Sequence, residues 1–230
     1  MQESRRLHRL FPEDFTTQLR VRELGLISDL VKRDHGRILD VGCGNGLIQQ
    51  FLPPETYYVG SDFTREYLTA LWKGRAQGNR VVGEATRLPF GRGIFDVVLA
   101  LHIVEHLDQL RQRSLVLELY RVLKKGGKLT ISTPNAGTWF NAHKFSPPYN
   151  PKHLHCLTYS ELHKLLLDAD FSQVERFSFD VIVDYPIKIF RCIPYSFRRN
   201  VAGLIPSLDK HIILRATRGR NPHKSEQGGF

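Results

Sequence analysis

The stretch from Ile38 to Gly46 constrains the fold more than any other part of this sequence. It begins as a short apolar run containing Asp40, and then glycines follow at every second position, at Gly42, Gly44 and Gly46. The run has the length and the β-branched content of a buried strand, which the glycines end abruptly. Glycine adopts positive φ and has no side chain, so a backbone can lie directly against a ligand here. The pattern therefore predicts a plain turn or a nucleotide-type binding loop between a strand and a helix.

The spacing of these glycines excludes two common phosphate-binding loops. A dinucleotide fingerprint needs its third glycine one position later, and a P-loop needs a lysine followed by serine or threonine. The three cysteines, Cys43, Cys156 and Cys192, do not have the spacing of metal ligands or of a disulfide framework. We interpret Cys43 as a small residue that fills space inside the glycine loop.

The length and composition predict one globular domain over residues 1–230. The first 15 residues are charged and have no apolar core of a secretory signal, and no run approaches the roughly 20 apolar residues that span a bilayer. The cytoplasm is therefore the expected location. The net charge of +10 favours anionic partners such as nucleic acid, a membrane surface or an acidic metabolite. Solubility alone is an equally good explanation of that charge.

Apolar periodicity predicts strands that alternate with helices, and hence a doubly wound, mostly parallel seven-stranded sheet with helices on both faces. We expect a leading helix at about 13–34, a short helix after the glycines and another at 64–73. A further helix begins after Asp108 and ends near 124–127, and one more is capped by Thr158. A loop spans about 135–157. The expected strands are 37–41, 57–61, 80–83, 95–101, 128–133, 171–179 and 211–216.

Several motifs in order resemble those of the class I S-adenosylmethionine (SAM)-dependent methyltransferases over about residues 36–179. The glycine loop resembles the first motif of that family, and Gly83-Glu84-Ala85, Leu88-Pro89-Phe90 and Phe95-Asp96 resemble a later signature. The resemblance implies a Rossmann-like fold and SAM as the cofactor. The residues that it implies for cofactor binding are Asp40, Gly42, Cys43, Gly44, Gly46, Asp62, Phe63, Glu84, Ala85, Leu101 and His102.

Individual roles follow from the same resemblance. Asp40 would orient the glycine loop or the methionine amino group, and Leu101 and His102 would lie beside the methionine. Asp62, about 20 residues after the loop, can accept both ribose hydroxyls in charge-assisted bonds, although it can also cap the helix that begins near Thr64. Glu84 stands where the family usually has aspartate, so its contact with adenine competes with the alternative of a solvated surface charge.

The Glu105-His106 pair resembles the branch of the family that contains the ubiquinone-biosynthesis O-methyltransferases. An imidazole can take the proton that a phenol or enol loses as it attacks a methyl group, so His106 is a candidate catalytic base. The alternative is a structural histidine bonded to Glu105 or to the backbone.

Three further histidines, His143, His153 and His155, fall in the loop after the fifth strand. They are candidates for the acceptor side of the site or for loop packing. A metal is not expected, because the His-x-His pair has no third ligand at a fixed spacing.

The predicted function is SAM-dependent methyl transfer to oxygen or carbon of a small or lipid-like acceptor. Nucleic acid is not expected as a partner, because no RNA-binding module is visible and Ser146-Pro147-Pro148-Tyr149 lies in the wrong loop for base methylation. An RNA methyltransferase and a SAM-binding protein without transferase activity are the alternatives. The aromatic and basic segment 184–208 is either a cap or dimer contact, or an element that docks on anionic membrane, which would add a peripheral location. The oligomeric state does not follow from the sequence.

Overall fold

The computed structural model describes residues 15–34, 36–70, 78–138, 152–178, 200, 209 and 211–219. The helices are α1 (Phe15–Val31), α2 (Arg65–Ala70), α3 (Gln109–Val122) and α4 (Tyr159–Asp168), with 3₁₀ turns at Leu47–Gln50 and Val104–His106. The strands are β1 (Arg37–Val41), β2 (Tyr57–Asp62), β3 (Gly78–Val82), β4 (Phe95–Leu101), β5 (Leu123–Pro134), β6 (Phe171–Phe177) and β7 (His211–Arg218). Within these ranges, no helix is both long and apolar enough to cross a bilayer.

The seven strands form one sheet in the order β3-β2-β1-β4-β5-β7-β6. The first five pair in parallel, and β7 runs antiparallel to both β5 and β6. The expected mostly parallel, seven-stranded α/β sheet is thus confirmed. The strand order reverses between β1 and β4, and ligands of open parallel sheets bind at the carboxyl ends of the strands at such a point.

Strand β4 is buried on both faces, because alternate residues enter two different apolar clusters. Val98 and Ala100 face a cluster that contains residues of α3 and α4. Val97, Leu99 and Leu101 face the other cluster, which contains residues of α1. Two layers of helices therefore cover the sheet and leave its carboxyl edge as the place where polar groups can collect.

Local signals set the beginnings of two helices as expected. The side chain of Asp108 accepts a hydrogen bond from the Arg111 backbone N–H at the first turn of α3. Thr158 and Glu161 form a reciprocal capping box at the start of α4.

Two expectations about the local structure were wrong in detail. Helix α3 ends at Val122 instead of 124–127, and β5 begins at Leu123 instead of Lys128, because Leu123 pairs with Phe95 of β4. The segment after the glycines is a single 3₁₀ turn at Leu47–Gln50. In both places pairing within the sheet or packing of the loop overrides the local helix signal.

Candidate functional site

The glycine loop connects β1 to the first 3₁₀ turn at the carboxyl edge of the sheet. Gly42, Gly44 and Gly46 have φ values of 70°, 52° and 69°, a region that other residues seldom adopt. The backbone N–H groups of Gly42 and Cys43 donate to the Ser61 carbonyl at 2.8 and 3.1 Å, which fastens the loop to β2. The glycines therefore allow the positive φ angles of a loop that is hydrogen-bonded to the neighbouring strand.

Cys43 fills space within this loop, as expected. A Cβ added at Gly60 would lie 2.8 Å from the Sγ atom of Cys43, so the thiol packs against the backbone of β2. Burial, with the negative charges of Asp40 and Asp62, raises the pKa of the Cys43 thiol. A protonated, buried thiol is a space-filling group and not a nucleophile.

The carboxylate of Asp62 organises the end of β2. Its Oδ2 atom accepts a hydrogen bond from the Gly44 backbone N–H, and its Oδ1 atom accepts one from the Thr64 backbone N–H, both at 2.8 Å. The helix-capping alternative is thus present in the structure. Each carboxylate oxygen can accept a second bond, so a ribose hydroxyl can still be accommodated.

A cavity of about 360 Å³ lies in front of the glycine loop. Its size falls within the usual range of small-molecule sites. A Cβ built on Gly44 meets no atom within 4 Å, so the missing side chain leaves room for a ligand against this part of the loop. The lining residues are Arg20, Leu24, Asp40, Gly42, Cys43, Gly44, Asn45, Leu47, Ile48, Tyr67, Leu101 and His102.

Six of the predicted cofactor residues line this cavity, namely Asp40, Gly42, Cys43, Gly44, Leu101 and His102. Among the described residues, the cavity lining does not include the other five predicted residues, Gly46, Asp62, Phe63, Glu84 and Ala85. The Phe63 side chain is 78% exposed, and the exposed Glu84 accepts a hydrogen bond from Thr86 Oγ1 at 2.7 Å. The contacts of these residues with a cofactor stay predictions.

Asp40 is a buried acid at the wall of the cavity. Its Oδ2 atom accepts a hydrogen bond from the Tyr58 hydroxyl at 2.6 Å. Burial raises the pKa of Asp40 to about 7, although the Tyr58 hydrogen bond and the charge of Arg20 act in the opposite direction. The side chain is therefore poised between its neutral and ionised forms near pH 7, and it can pair with a positive group that enters the cavity.

His102 links the cavity to two buried glutamates. Its Nε2 atom lies 2.7 Å from Glu23 Oε1, and its Nδ1 atom lies 3.3 Å from Glu105 Oε1. Burial alone would lower the pKa of His102, but the charge of Glu23 and the hydrogen bonds to both carboxylates raise it to about 9. The ring of His211 packs edge-on against that of His102 with centroids 4.7 Å apart, and its Nδ1 atom lies 3.4 Å from Glu23 Oε2.

Glu23 was missed by the sequence reasoning although it is completely buried. Burial alone would raise its pKa, but His102 and His211 hold that pKa well below the usual range of a glutamate. A signal was present in the helical spacing, because Glu23 precedes Ile27 by four residues and Leu30 by seven. An acid on the apolar face of the leading helix needs a partner, and β4 and β7 provide it.

A second cluster forms behind His102 from Glu105, His106 and His153. One ligand-type atom of each residue lies within 4.8 Å of those of the other two. The imidazoles of His106 and His153 meet edge-on with centroids 4.9 Å apart. The backbone carbonyl of Glu105 accepts bonds from the N–H groups of Leu154 and His155, which brings the predicted acceptor loop against the 3₁₀ turn.

Each member of this cluster has a further contact. Glu105 Oε2 accepts a hydrogen bond from Thr133 Oγ1 at 3.1 Å, and His106 Nδ1 lies 3.1 Å from the Lys152 carbonyl. Burial alone would raise the pKa of Glu105, but the hydrogen bond and charge of His102 lower it. Burial chiefly lowers the pKa of His153.

The remaining histidines of the loop differ from His153. His155 Nε2 accepts a hydrogen bond from the Gln109 side-chain amide at 3.0 Å, and the His155 carbonyl accepts one from Gln112 at 2.7 Å. His155 therefore fastens the loop to α3. His143 and the segment 184–208, apart from Asn200, lie outside the described residues.

Residues 39–131 match the family described as "Methyltransferase domain". The chain is 34% identical over 151 residues to a Mycolicibacterium smegmatis protein named as a probable S-adenosylmethionine-dependent methyltransferase, covering 62% of this chain and 54% of that one. It is 30% identical over 105 residues to the 18S rRNA (guanine-N(7))-methyltransferase of Bos taurus, covering 41% and 37%. It is 32% identical over 109 residues to the ubiquinone/menaquinone biosynthesis C-methyltransferase UbiE of Desulfotalea psychrophila, covering 44% and 43%. The chain thus spans between 37% and 54% of the length of these relatives.

Among solved structures, a SAM-dependent methyltransferase from Thermotoga maritima is similar with a TM-score of 0.63 and 20% identity, over 86% of this chain and 88% of that chain. At that identity the likeness concerns the fold. The matched domain and this fold agree with the motifs around the glycine loop. Residues 39–131 therefore form a methyltransferase domain, and the sheet around them has the fold of a SAM-dependent methyltransferase.

Proposed function

We propose that the protein transfers a methyl group from SAM to an oxygen or carbon atom of an acceptor. The observation that carries this proposal is the cavity at the carboxyl ends of β1 and β4, where Gly44 leaves open space beside the carboxylates of Asp40 and Asp62. When bound, SAM supplies an electrophilic methyl group on a sulfonium. The protein then has to hold the acceptor in line and exclude water, which can lower the barrier by several kcal/mol.

The residues around the cavity fit such a cofactor. Asp62 can accept from ribose hydroxyls while it holds the loop, and ionised Asp40 can pair with an amino group. The negative charge of Glu23 balances the protonated imidazole of His102, so a positive ligand next to His102 does not meet an uncompensated cation. Leu24, Ile48 and Leu101 provide apolar contact surface.

His106 is the proposed catalytic residue on the acceptor side. With its Nδ1 atom directed at the Lys152 carbonyl, the ring carries a proton on Nδ1 and a lone pair on Nε2. A lone pair at this position can take the proton of an acceptor hydroxyl, or it can bind a metal ion that lowers the pKa of that hydroxyl. His153 adjoins His106 and is proposed to face the acceptor with it.

A small or lipid-like acceptor is our first choice, and it is favoured by the resemblance of the Glu105-His106 motif and by a relative named for quinone biosynthesis. RNA is the second candidate, because another relative is named for 18S rRNA and the net charge is +10. The expectation against nucleic acid therefore has no support from the comparisons.

The test of the acceptor class is a panel of quinols, phenols, fatty acids, sugars, tRNA and rRNA incubated with methyl-labelled SAM. Turnover of one class identifies the acceptor, and SAM binding without any turnover would favour a binding protein without transferase activity.

The segment 184–208 is proposed, from its sequence, to dock on anionic membrane and admit a lipophilic acceptor. Aromatic and aliphatic residues are mixed there with Lys188, Arg191, Arg198 and Arg199. Each cation near an anionic surface contributes about 1 kcal/mol to binding. A cap over the acceptor site and a dimer contact are the competing explanations of the same composition.

A further inference from the structure

Two clusters of histidine and glutamate lie near the cavity, and they differ in their capacity to bind a metal. In the first, Glu23 with His102 and His211, both ring nitrogens of His102 face carboxylate oxygens. An imidazole that donates from both nitrogens has no lone pair left for a metal. That cluster is a buried ion pair.

The second cluster, Glu105 with His106 and His153, has the opposite arrangement. His106 directs Nδ1 at the Lys152 carbonyl at 3.1 Å, and His153 Nδ1 lies 3.7 Å from Cys156 Sγ. The Lys152 carbonyl can only accept, so Nδ1 of His106 donates and Nε2 is the position for its lone pair. The contact between His153 and Cys156 can run in either direction, and Nε2 of His153 has a lone pair when Nδ1 donates to the sulfur. Histidines that bind metals usually donate their other N–H to a carbonyl or carboxylate, as His106 does.

Glu105 completes the set. Its side chain is 1% exposed, and Thr133 Oγ1 donates to Oε2 at 3.1 Å, which fixes the carboxylate. All three candidate ligands therefore have an outer partner that orients them. One ligand-type atom of each residue lies within 4.8 Å of those of the other two. Ligand atoms around a tetrahedral zinc ion are about 3.3 Å apart, given metal–ligand distances of about 2.0–2.1 Å, so modest side-chain rotation would close the site.

We propose that Glu105, His106 and His153 bind one divalent transition-metal ion, such as Zn²⁺, Mn²⁺ or Co²⁺. Two imidazoles and one carboxylate suit these ions better than Mg²⁺ or Ca²⁺, which prefer oxygen ligands. The sequence does not predict a metal here, because the residues beside His153 come from the turn after β4 and not from its own loop.

Three protein ligands leave at least one coordination position open, as in catalytic metal sites. We assign that position to an oxygen of the methyl acceptor, since a bound divalent ion lowers the pKa of a hydroxyl. This assignment rests on the proposed function, whereas binding of the ion does not. The acceptor class is thus one that offers a hydroxyl, enol or phenol oxygen.

The test uses the full chain, without an affinity tag, stripped with a chelator and dialysed. Calorimetric titration with Zn²⁺ and Co²⁺ should show one site per chain, and Co²⁺ should give visible absorption bands of a histidine-ligated ion. His106→Gln and His153→Gln should each weaken binding at least tenfold. His163→Gln, on α4 and outside the cluster, should bind as wild type does.

Thermal unfolding and SAM titration of the same samples keep the outcomes separable. The site is confirmed if the variants have the same unfolding temperature and the same SAM affinity as the wild type but no longer bind the ion. Absence of stoichiometric binding in the wild type, or equal binding in His106→Gln, His153→Gln and His163→Gln, would overturn the proposal. Loss of SAM binding in the wild type would instead count against the proposed function.

Discussion

His102 and Glu23 form a partly buried ion pair with 2.7 Å between Nε2 and Oε1. Glu23 belongs to the leading helix α1 and His102 follows the central strand β4, so the pair joins two elements that are 79 residues apart. His102 lines the cavity with one side and contacts Glu105 with the other. The pair therefore holds α1 over the cavity and positions the turn that carries Glu105 and His106.

The first prediction concerns the stability that this pair provides. Glu23→Gln should lower the free energy of unfolding by about 1–3 kcal/mol, because His102 keeps Glu105 but loses the carboxylate that lies closest to it. Urea denaturation at constant pH measures the change. Lys164→Gln removes the exposed ion pair with Asp168 on α4 and should cost less than about 1 kcal/mol. Equal effects of the two substitutions would show that the Glu23–His102 pair is not a stabilising element.

The second prediction concerns the cofactor loop. Asp62→Ala removes the acceptor for the Gly44 and Thr64 N–H groups, and Gly44→Val places a branched side chain at φ 52° in the open space of the cavity. Each should weaken SAM binding tenfold or more, about 1.4 kcal/mol. Isothermal titration calorimetry measures the SAM affinity of each variant, and Asp168→Ala on α4 is the control. Wild-type affinity in both variants would refute the assignment of this loop.

The third prediction concerns pH. The pKa of Asp40 is raised to about 7, so the carboxylate that can pair with the amino group of SAM is the minor form below pH 7. SAM affinity should therefore rise about tenfold between pH 6 and pH 8, as the ionised fraction grows, and then level off. The contribution of Asp40 to the stability of the ligand-free protein should change in the opposite sense. That contribution is fully present below the unfolded pKa near 3.8 and is lost as the pH rises through 7, because the folded state retains the proton longer.

Asp40→Asn is the control for the pH profile. The amide can still accept the hydrogen bond from Tyr58 but cannot ionise. Its SAM affinity should be weaker at pH 8 and should no longer rise between pH 6 and pH 8. A profile identical to that of the wild type would mean that Asp40 does not face the amino group.

The fourth prediction concerns His106. His106→Ala should reduce the rate of methyl transfer by about 10²–10⁴ while the affinity for SAM stays near wild type, because the cofactor cavity does not include this side chain among its described lining. Single-turnover assays with labelled SAM measure the rate, and His163→Gln is the control. Loss of wild-type activity on chelation and its return with Zn²⁺ or Mn²⁺ would assign His106 to the metal, whereas chelator-resistant activity would assign it the role of a base. Full activity of His106→Ala would make the residue structural.

The fifth prediction concerns segment 184–208. If it docks on membrane, the protein should co-sediment with vesicles that contain anionic lipid and not with neutral vesicles, and binding should fall as salt is added. The double substitution Arg198→Glu and Arg199→Glu should abolish binding. Lys224→Glu, another cation of the same C-terminal region, is the matched control. If the wild type does not bind anionic vesicles at low salt, the composition of segment 184–208 is explained by a cap or a dimer contact instead.

Much of the fold was predictable because its signals are local. The apolar run and glycines at 38–46, the cap at Asp108 and the capping box at Thr158 depend on residues that are near one another in sequence. Alternating helices and strands then imply the parallel sheet. Six of the predicted cofactor residues line one cavity, because the carboxyl ends of β1 and β4 are neighbours in such a sheet.

Other features depended on which distant segments meet, and only the tertiary structure decided them. β5 begins at Leu123 because that residue pairs with Phe95, although the local sequence favours a helix end further on. In the sequence Glu23 is not distinguished from the other polar residues of its helix. In the structure it is buried and pairs with His102 and His211. The other two members of the cluster around His153 come from a turn nearly 50 residues earlier, at Glu105 and His106. Spacing in the sequence determines the strands, the loops and their caps, whereas the pairing of buried charges depends on contacts that form when the sheet and its covering helices assemble.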